Sequence, residues 1–150
     1  MYSIEEFDKQ KSKIMNYIMY KKRTEQEVKN KFQNTCAEDL LCDIITYVKE
    51  AGYLKDSDYV KRAVNEFIAL KNLSEKEIKY KLYSKGVNKE AIEDYFYEHK
   101  EEMEEYERKS VYNICIKKEN TMEKEEIESY LLKKGFKQDI IKEVLECKTY

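Results

Sequence analysis

At 150 residues, with 40% charged and 41% hydrophobic side chains, no proline and three glycines, the chain reads as a set of slender amphipathic helices. Its 29 Lys and Arg against 31 Asp and Glu give a formal charge of -2, which argues against a surface that is everywhere a phosphate-binding field. No run approaches the ~18 apolar residues of a membrane span, and the opening MYSIEEFDKQ is too acidic and polar for a signal peptide, so a cytoplasmic protein without membrane contact is expected.

The first unit opens with Ile14, Met15, Tyr17, Ile18 and Tyr20, a broad apolar face running into the basic triplet Lys21, Lys22, Arg23. Cations at that place suit the carbonyls and dipole of a helix C-terminus. Thr24, Glu27, Val28 and Phe32 then start a second helix, whose end, QNTCAED, has no glycine and so needs a different turn. Leu40, Leu41, Ile44, Ile45 and Val48 predict a third helix, broken by Gly52.

The stretch from Gly52 to Phe96 is the most complete unit. Val60, Ala63, Val64, Phe67 and Leu70 recur at helical spacing, followed by Ile78 and Leu82, then Ile92, Tyr95 and Phe96. Asp56 or Ser57 is placed to cap its first helix. Ser74 and Glu77 are spaced as a capping box for the second, in which hydroxyl and carboxylate each take a free backbone N–H. Gly86 can close that helix in the left-handed conformation, and Asn88 can cap the third.

Between this unit and the next lies EHKEEMEEYE, residues 98–107, the densest acidic run. Its helix propensity predicts one long solvated helix, or two meeting at a shallow bend. In the third unit, Val111, Ile114 and Cys115, then Ile127 and Leu131, then Ile140, Ile141, Val144 and Leu145 repeat the pattern, with Gly135 standing where Gly86 stood. Glu123 replaces the capping hydroxyl, so a looser helix start is expected.

Thr24, Ser74 and Glu123 thus mark one motif recurring about every 50 residues, within the range where internal similarity means stacked helical units. The expected fold is all-α: three tandem three-helix repeats, 1–51, 52–102 and 103–150, stacked on one another. One such unit exposes an apolar stripe that only a neighbour can bury.

Chemistry is sparse. Cys36, Cys42, Cys115 and Cys147 show no Cys-x-x-Cys pairing, and His99 is the single imidazole, so no metal site is expected. His99 lies beside the acidic run and away from any glycine-rich nucleophile turn, and the three glycines cannot form a phosphate-cradling loop. No enzyme and no cofactor are expected. Tyrosine is abundant, with 14 copies, several among cations: Tyr59 near Lys61 and Arg62, Tyr80 between Lys79 and Lys81, Tyr83 near Lys85. Such interleaving serves base stacking with phosphate neutralisation, or the anchors of a protein interface, or packing at a seam with the hydroxyl left wet.

The run GYLKDSDYVKRAV, with SEKEIKYKLYSKGVNKEAIEDYF after it, resembles the RecX regulatory proteins of bacteria. Gly52, Tyr53, Leu54, Asp56, Tyr59 and Arg62 match the family's Gly-Tyr-Leu-x-Asp start with its following aromatic and Arg. Leu82, Lys85, Gly86 and Val87 match the later Leu-x-x-Lys-Gly turn, while Arg23-Thr24 with Glu27, and YLLKKGFKQDIIKEVL from Tyr130, extend the likeness to both ends. The resemblance implies tandem three-helix repeats in an elongated, curved superhelical arrangement that enter the groove of the RecA filament on single-stranded DNA and suppress its growth, ATP hydrolysis, strand exchange and the damage response that depends on it. The charge of -2 departs from strongly basic members and shifts weight toward protein contacts, with weak binding to single-stranded DNA and a monomeric state expected. The alternative is a helical-repeat nucleic-acid binder that affects recombination indirectly. Gly52, Tyr53, Leu54 and Asp56 are expected to be structural, forming the turn, anchor and cap that dock one unit on the next, with Gly86 and Gly135 as helix ends. Tyr59, Lys61, Arg62, Lys76, Lys79 and Lys85 are the candidates for partner contact.

Overall fold

The computed structural model describes residues 1–70 and 72–147. They form nine α-helices and no strand: α1 Ile4–Tyr20, α2 Glu25–Phe32, α3 Glu38–Glu50, α4 Asp56–Leu70, α5 Glu75–Ser84, α6 Lys89–Glu98, α7 Lys100–Lys118, α8 Lys124–Lys134 and α9 Gln138–Cys147. The fold is all-α.

Each run of three helices closes over its own apolar residues. Ile14, Ile18, Val28, Phe32, Ile44 and Val48 centre one cluster, Val60, Val64, Ile78, Leu82, Ile92 and Phe96 a second, and Val111, Ile127, Leu131, Ile141 and Leu145 a third. At about 1.5–3 kcal/mol for each fully buried aliphatic side chain, these clusters are the main favourable term in folding. They are also linked. Leu54, just before α4, packs into the first cluster, and Met103 and Tyr106 of α7 pack into the second.

The helix ends follow the local chemistry. Thr24 and Ser74 cap α2 and α5 in full capping boxes with Glu27 and Glu77, and Asn88 caps α6 by accepting from Glu90 and Ala91. Gly52, Gly86 and Gly135 take φ of 83°, 79° and 98° after α3, α5 and α8. After α5 and α8 the Val87 N–H reaches Leu82 O, and the Phe136 N–H reaches Leu131 O, each at 3.2 Å. This six-to-one closure of a helix requires the left-handed residue. The turn after α2 is one residue shorter: the Cys36 N–H bonds Phe32 O at 2.9 Å, so no left-handed residue is needed, and Ala37 stands at the N-cap of α3 without a side-chain cap.

Two expectations are corrected. Asp56 and Ser57 do not cap α4, because the helix begins at Asp56 itself, with Lys55 O accepting from the Tyr59 N–H. Of the two forms expected of the acidic run, two helices meeting at His99 are found, but the run is not simply solvated: Met103, Tyr106 and Glu107 are buried. The expected boundary after residue 102 therefore falls inside α7.

What Asp56 does is join units. Its carboxylate accepts from the Glu25 N–H, the first residue of α2, at 3.1 Å, and from the Asn88 N–H at 2.7 Å. Glu107 stands in the same place one unit on, accepting from the Glu75 N–H of α5 at 3.0 Å. Around each carboxylate the capping hydroxyl of one unit donates to the last turn of a helix in the next, Thr24 Oγ1 to Lys85 O at 3.5 Å and Ser74 Oγ to Lys134 O at 2.7 Å. The glycines sit where these helices meet. A Cβ on Gly86 would stand 2.7 Å from Gln26 Cβ and Cγ, and one on Gly135 would stand 3.0 Å from Lys76 Cβ and Cδ. Lys134 with Glu77 at 3.1 Å and Tyr106 Oη donating to Leu73 O at 2.6 Å complete the second seam.

Gly86→Val and Gly52→Val both force a branched residue to positive φ, costing about 1 kcal/mol or more. At Gly52 a Cβ meets only the far end of Lys55 at 3.7 Å, so Gly86→Val should lower the melting temperature further. Equal losses would mean that the seam tolerates a side chain. Asp56→Ala should cost about 2 kcal/mol or more, since two backbone donors lose their acceptor, against less than about 0.5 kcal/mol for Asp58→Ala in its exposed pair with Lys22. Chemical denaturation of the two variants decides.

Glu107 adds a pH dependence. Burial, the largest effect, raises its pKa above the ordinary carboxylate value, opposed by the Glu75 N–H and by the charge and N–H of Lys137. A folded-state pKa above the unfolded one means that ionised Glu107 opposes folding, and that stability from this group is regained as pH falls through the raised pKa. In Glu107→Gln that contribution is absent. The difference in melting temperature, wild type minus variant, should grow as pH is lowered from about 7.5 to about 5, and a difference independent of pH would show that Glu107 does not titrate there.

Candidate partner-binding surface

The structure divides the six contact candidates. Tyr59, Lys76 and Lys85 line one groove of about 880 Å³ between α4 and α5. Its floor is apolar, made by Ala63, Phe67 and Leu82 with the ring of Tyr59, and its rim carries Tyr80, Lys81, Glu66 and Glu77. Arg62 lies elsewhere, on a smaller pocket of about 410 Å³ where α1 ends against α4. Lys79 turns toward α6, its ammonium 5.1 Å above the Phe96 ring, and Lys61 is exposed on neither pocket.

Helical spacing explains the grouping. Tyr59, Ala63 and Phe67 succeed one another at four residues along α4, while Lys76, Tyr80 and Lys81 lie on the facing side of α5. α4 and α5 are held by Val60 and Val64 against Ile78 and Leu82 on their inner faces, which leaves the half-buried outer edge of the contact as the groove. The Tyr59 hydroxyl is pushed above the usual phenol pKa first by burial and then by Glu27 and Glu66, against Arg62 and Arg23. It therefore stays a neutral donor at physiological pH. Tyr83, which sequence places among lysines, instead donates to Glu93 at 2.8 Å, and that bond raises its pKa.

The smaller pocket gathers residues that only the fold brings together. Lys21, Lys22 and Arg23 at the end of α1 meet Lys55 and Arg62, with Asp58 as the carboxylate among them. Arg23 is fixed: its Nε donates to Tyr17 O at 3.2 Å and its guanidinium stacks 3.9 Å from the Tyr17 ring centroid. The helix-terminus role expected of the triplet is thus filled by Arg23, while Lys22 reaches across to Asp58 at 3.8 Å. Of the residues expected to anchor one unit on the next, Leu54 is 4% exposed and packs into the first cluster, whereas Tyr53 forms part of this pocket and is 49% exposed. Among the described residues no group of three His, Cys, Asp or Glu could hold a metal ion. No helix among them is long and apolar enough to cross a membrane.

Curated relatives named regulatory protein RecX match most of the chain. That of Finegoldia magna is 33% identical over 137 residues, covering 87% of this chain and 67% of the relative. The chain belongs to the RecX family. The Clostridioides difficile protein is 28% identical, covering 94% of this chain and 68% of its own length, and a Clostridium botulinum protein is 33% identical, covering 83% and 61%. The chain thus spans roughly two thirds of the length of these relatives. The crystal structure of RecX from Lactobacillus salivarius aligns with a TM-score of 0.80 at 23% identity, over 96% of this chain and 97% of that one. A second crystal structure of regulatory protein RecX aligns at 0.78 and 20% identity, over 94% and 73%. No family model matches. Within this RecX chain, Leu54, Asp56, Gly86 and Gly135 of the expected motif residues all serve the seams between units.

Proposed function

We propose that this chain is a regulator of RecA that binds the recombinase filament on single-stranded DNA and inhibits its ATPase, strand exchange and the damage response it supports. Membership of a family whose relatives are named regulatory protein RecX carries the reading. In it the protein is a cytoplasmic monomer without catalytic activity or cofactor, and acts by occupying a site. The three helical repeats, α1–α3, α4–α6 and α7–α9, supply a series of neighbouring surfaces, a form suited to following a helical polymer. Tyr59, Lys61, Arg62, Lys76, Lys79 and Lys85 of the middle repeat are the residues proposed to meet the partner.

A second reading is favoured by one observation, the five cations around the pocket between α1 and α4. They could neutralise phosphates directly, with Tyr53 at the pocket and Tyr20, 84% exposed, beside Arg23 offering rings to bases. The overall charge of -2 makes that contact weak at physiological salt unless the filament holds the strand in place.

The chain should slow ATP hydrolysis by preformed RecA filaments while binding free single-stranded DNA only weakly at the same salt. The double substitution Lys61→Glu and Arg62→Glu should weaken that inhibition and leave the melting temperature nearly unchanged, since exposed substitutions shift stability by less than about 0.5 kcal/mol. Titration of RecA ATPase with both proteins, beside DNA binding at matched salt, is the test. Tight DNA binding with no effect on the preformed filament would replace the first reading by the second.

A further inference from the structure

The groove between α4 and α5 has a charge balance that its composition conceals. Both carboxylates on its rim are engaged. Glu77 accepts from the Ser74 N–H at 3.0 Å within the capping box and pairs with Lys134 at 3.1 Å, and Glu66 pairs with Arg62 at 3.3 Å. Lys76, Lys81 and Lys85 have no ion pair among the described residues and are exposed. Three ammonium groups without counter-ions therefore surround a floor of Ala63, Phe67 and Leu82, on a chain whose overall charge is negative. At about 880 Å³ the groove is in the range that holds a compact ligand of several side chains.

We propose that this groove binds a short acidic segment of a partner protein, one that sets a large apolar side chain on the half-buried Ala63, Phe67 and Tyr59 ring and places Asp or Glu carboxylates against Lys76, Lys81 and Lys85. Each half of the surface excludes a simpler ligand. A bare polyanion would leave the apolar floor in water, and a wholly apolar peptide would leave three cations facing it unanswered. Tyr80, 72% exposed at the rim, and the neutral hydroxyl of Tyr59 add donors suited to carboxylate oxygens. Tyr80 and Tyr59 also close over an inserted side chain with little loss of rotamer freedom. The groove is continuous with the second seam, where the stem of Lys76 lies against Gly135.

The inference rests on the reading that this chain works by binding a protein, but not on which protein. The probe is a fluorescein-labelled peptide of about twelve residues with a Phe-Leu pair set among Asp and Glu, measured by fluorescence anisotropy against the intact chain, with amide shifts followed by NMR. Binding should move the amides of Tyr59, Phe67, Tyr80 and Lys81, and Lys81→Glu with Lys85→Glu should weaken it at least about tenfold while leaving the melting temperature near wild type. The same peptide with Phe-Leu changed to Ser-Ser should bind no better than an oligodeoxythymidine of similar charge. Equal binding by the Ser-Ser peptide, shifts confined to another face, or no binding at millimolar peptide would each overturn the proposal. If RecA ATPase inhibition survives in the chain that fails this test, only the groove assignment falls, and the proposed function stands.

Discussion

A carboxylate shared between two helical units is the constraint on which the rest of this structure depends. A helix shorter than about three turns leaves a large fraction of its backbone donors unpaired at the N-terminus, and α2 and α5 have only 8 and 10 residues. Their capping boxes satisfy part of that need from within. The remaining donor at the first residue, Glu25 in α2 and Glu75 in α5, is met by Asp56 or Glu107 from the next unit. Negative charge there also suits the helix dipole. The short helix is completed only when its neighbour docks, so local helix formation and stacking of units become one event.

The same constraint explains why the three copies differ. Thr24 and Ser74 are fully buried in seams, and each hydroxyl both accepts within its capping box and donates across to the following unit. Glu123, at the third position, is exposed, and the Glu126 carboxylate accepts from its N–H at 3.3 Å. Where no helix among the described residues packs on the position, a hydroxyl small enough to be enclosed is not required. The turn after α2 is likewise exposed over residues 33–35, and it lacks the glycine that Gly86 and Gly135 supply where a helix does arrive. The imperfections of the repeat mark which surfaces are shared.

Helices, caps and glycines were legible in the sequence because each depends on residues three to five apart. Ser74 with Glu77, Gly86, Asn88 and Gly135 all perform the local tasks that their spacing indicates. Asp56 was misread for the same reason. In sequence it stands where a cap belongs, and nothing nearby reveals that its acceptors' donors are 31 and 32 residues away. Glu107 was hidden in an acidic run, where charge density implies solvent, although Met103 and Tyr106 beside it keep the helical spacing of a buried face. The binding surface was the least legible. A list of cations on the middle unit contains Lys61, Lys79 and Lys85 alike, and only the fold sends Lys79 to Phe96, leaves Lys61 in solvent and sets Lys85 on the groove.

Net charge proves a poor guide to such a surface. Several carboxylates have structural work: Glu27 and Glu77 in capping boxes, Asp56 and Glu107 in seams, Glu25 with Lys49, Glu75 with Lys137. Carboxylates so engaged contribute to the total charge but present little unopposed field to a partner, because each already faces a donor or a cation. Lysines at the groove and the cations between α1 and α4 outnumber the carboxylates that line the same pockets, although the chain as a whole is acidic. A repeat protein that uses its acids to join units thereby leaves its bases for recognition, and the architecture that stabilises the stack also sets the sign of the surface it offers.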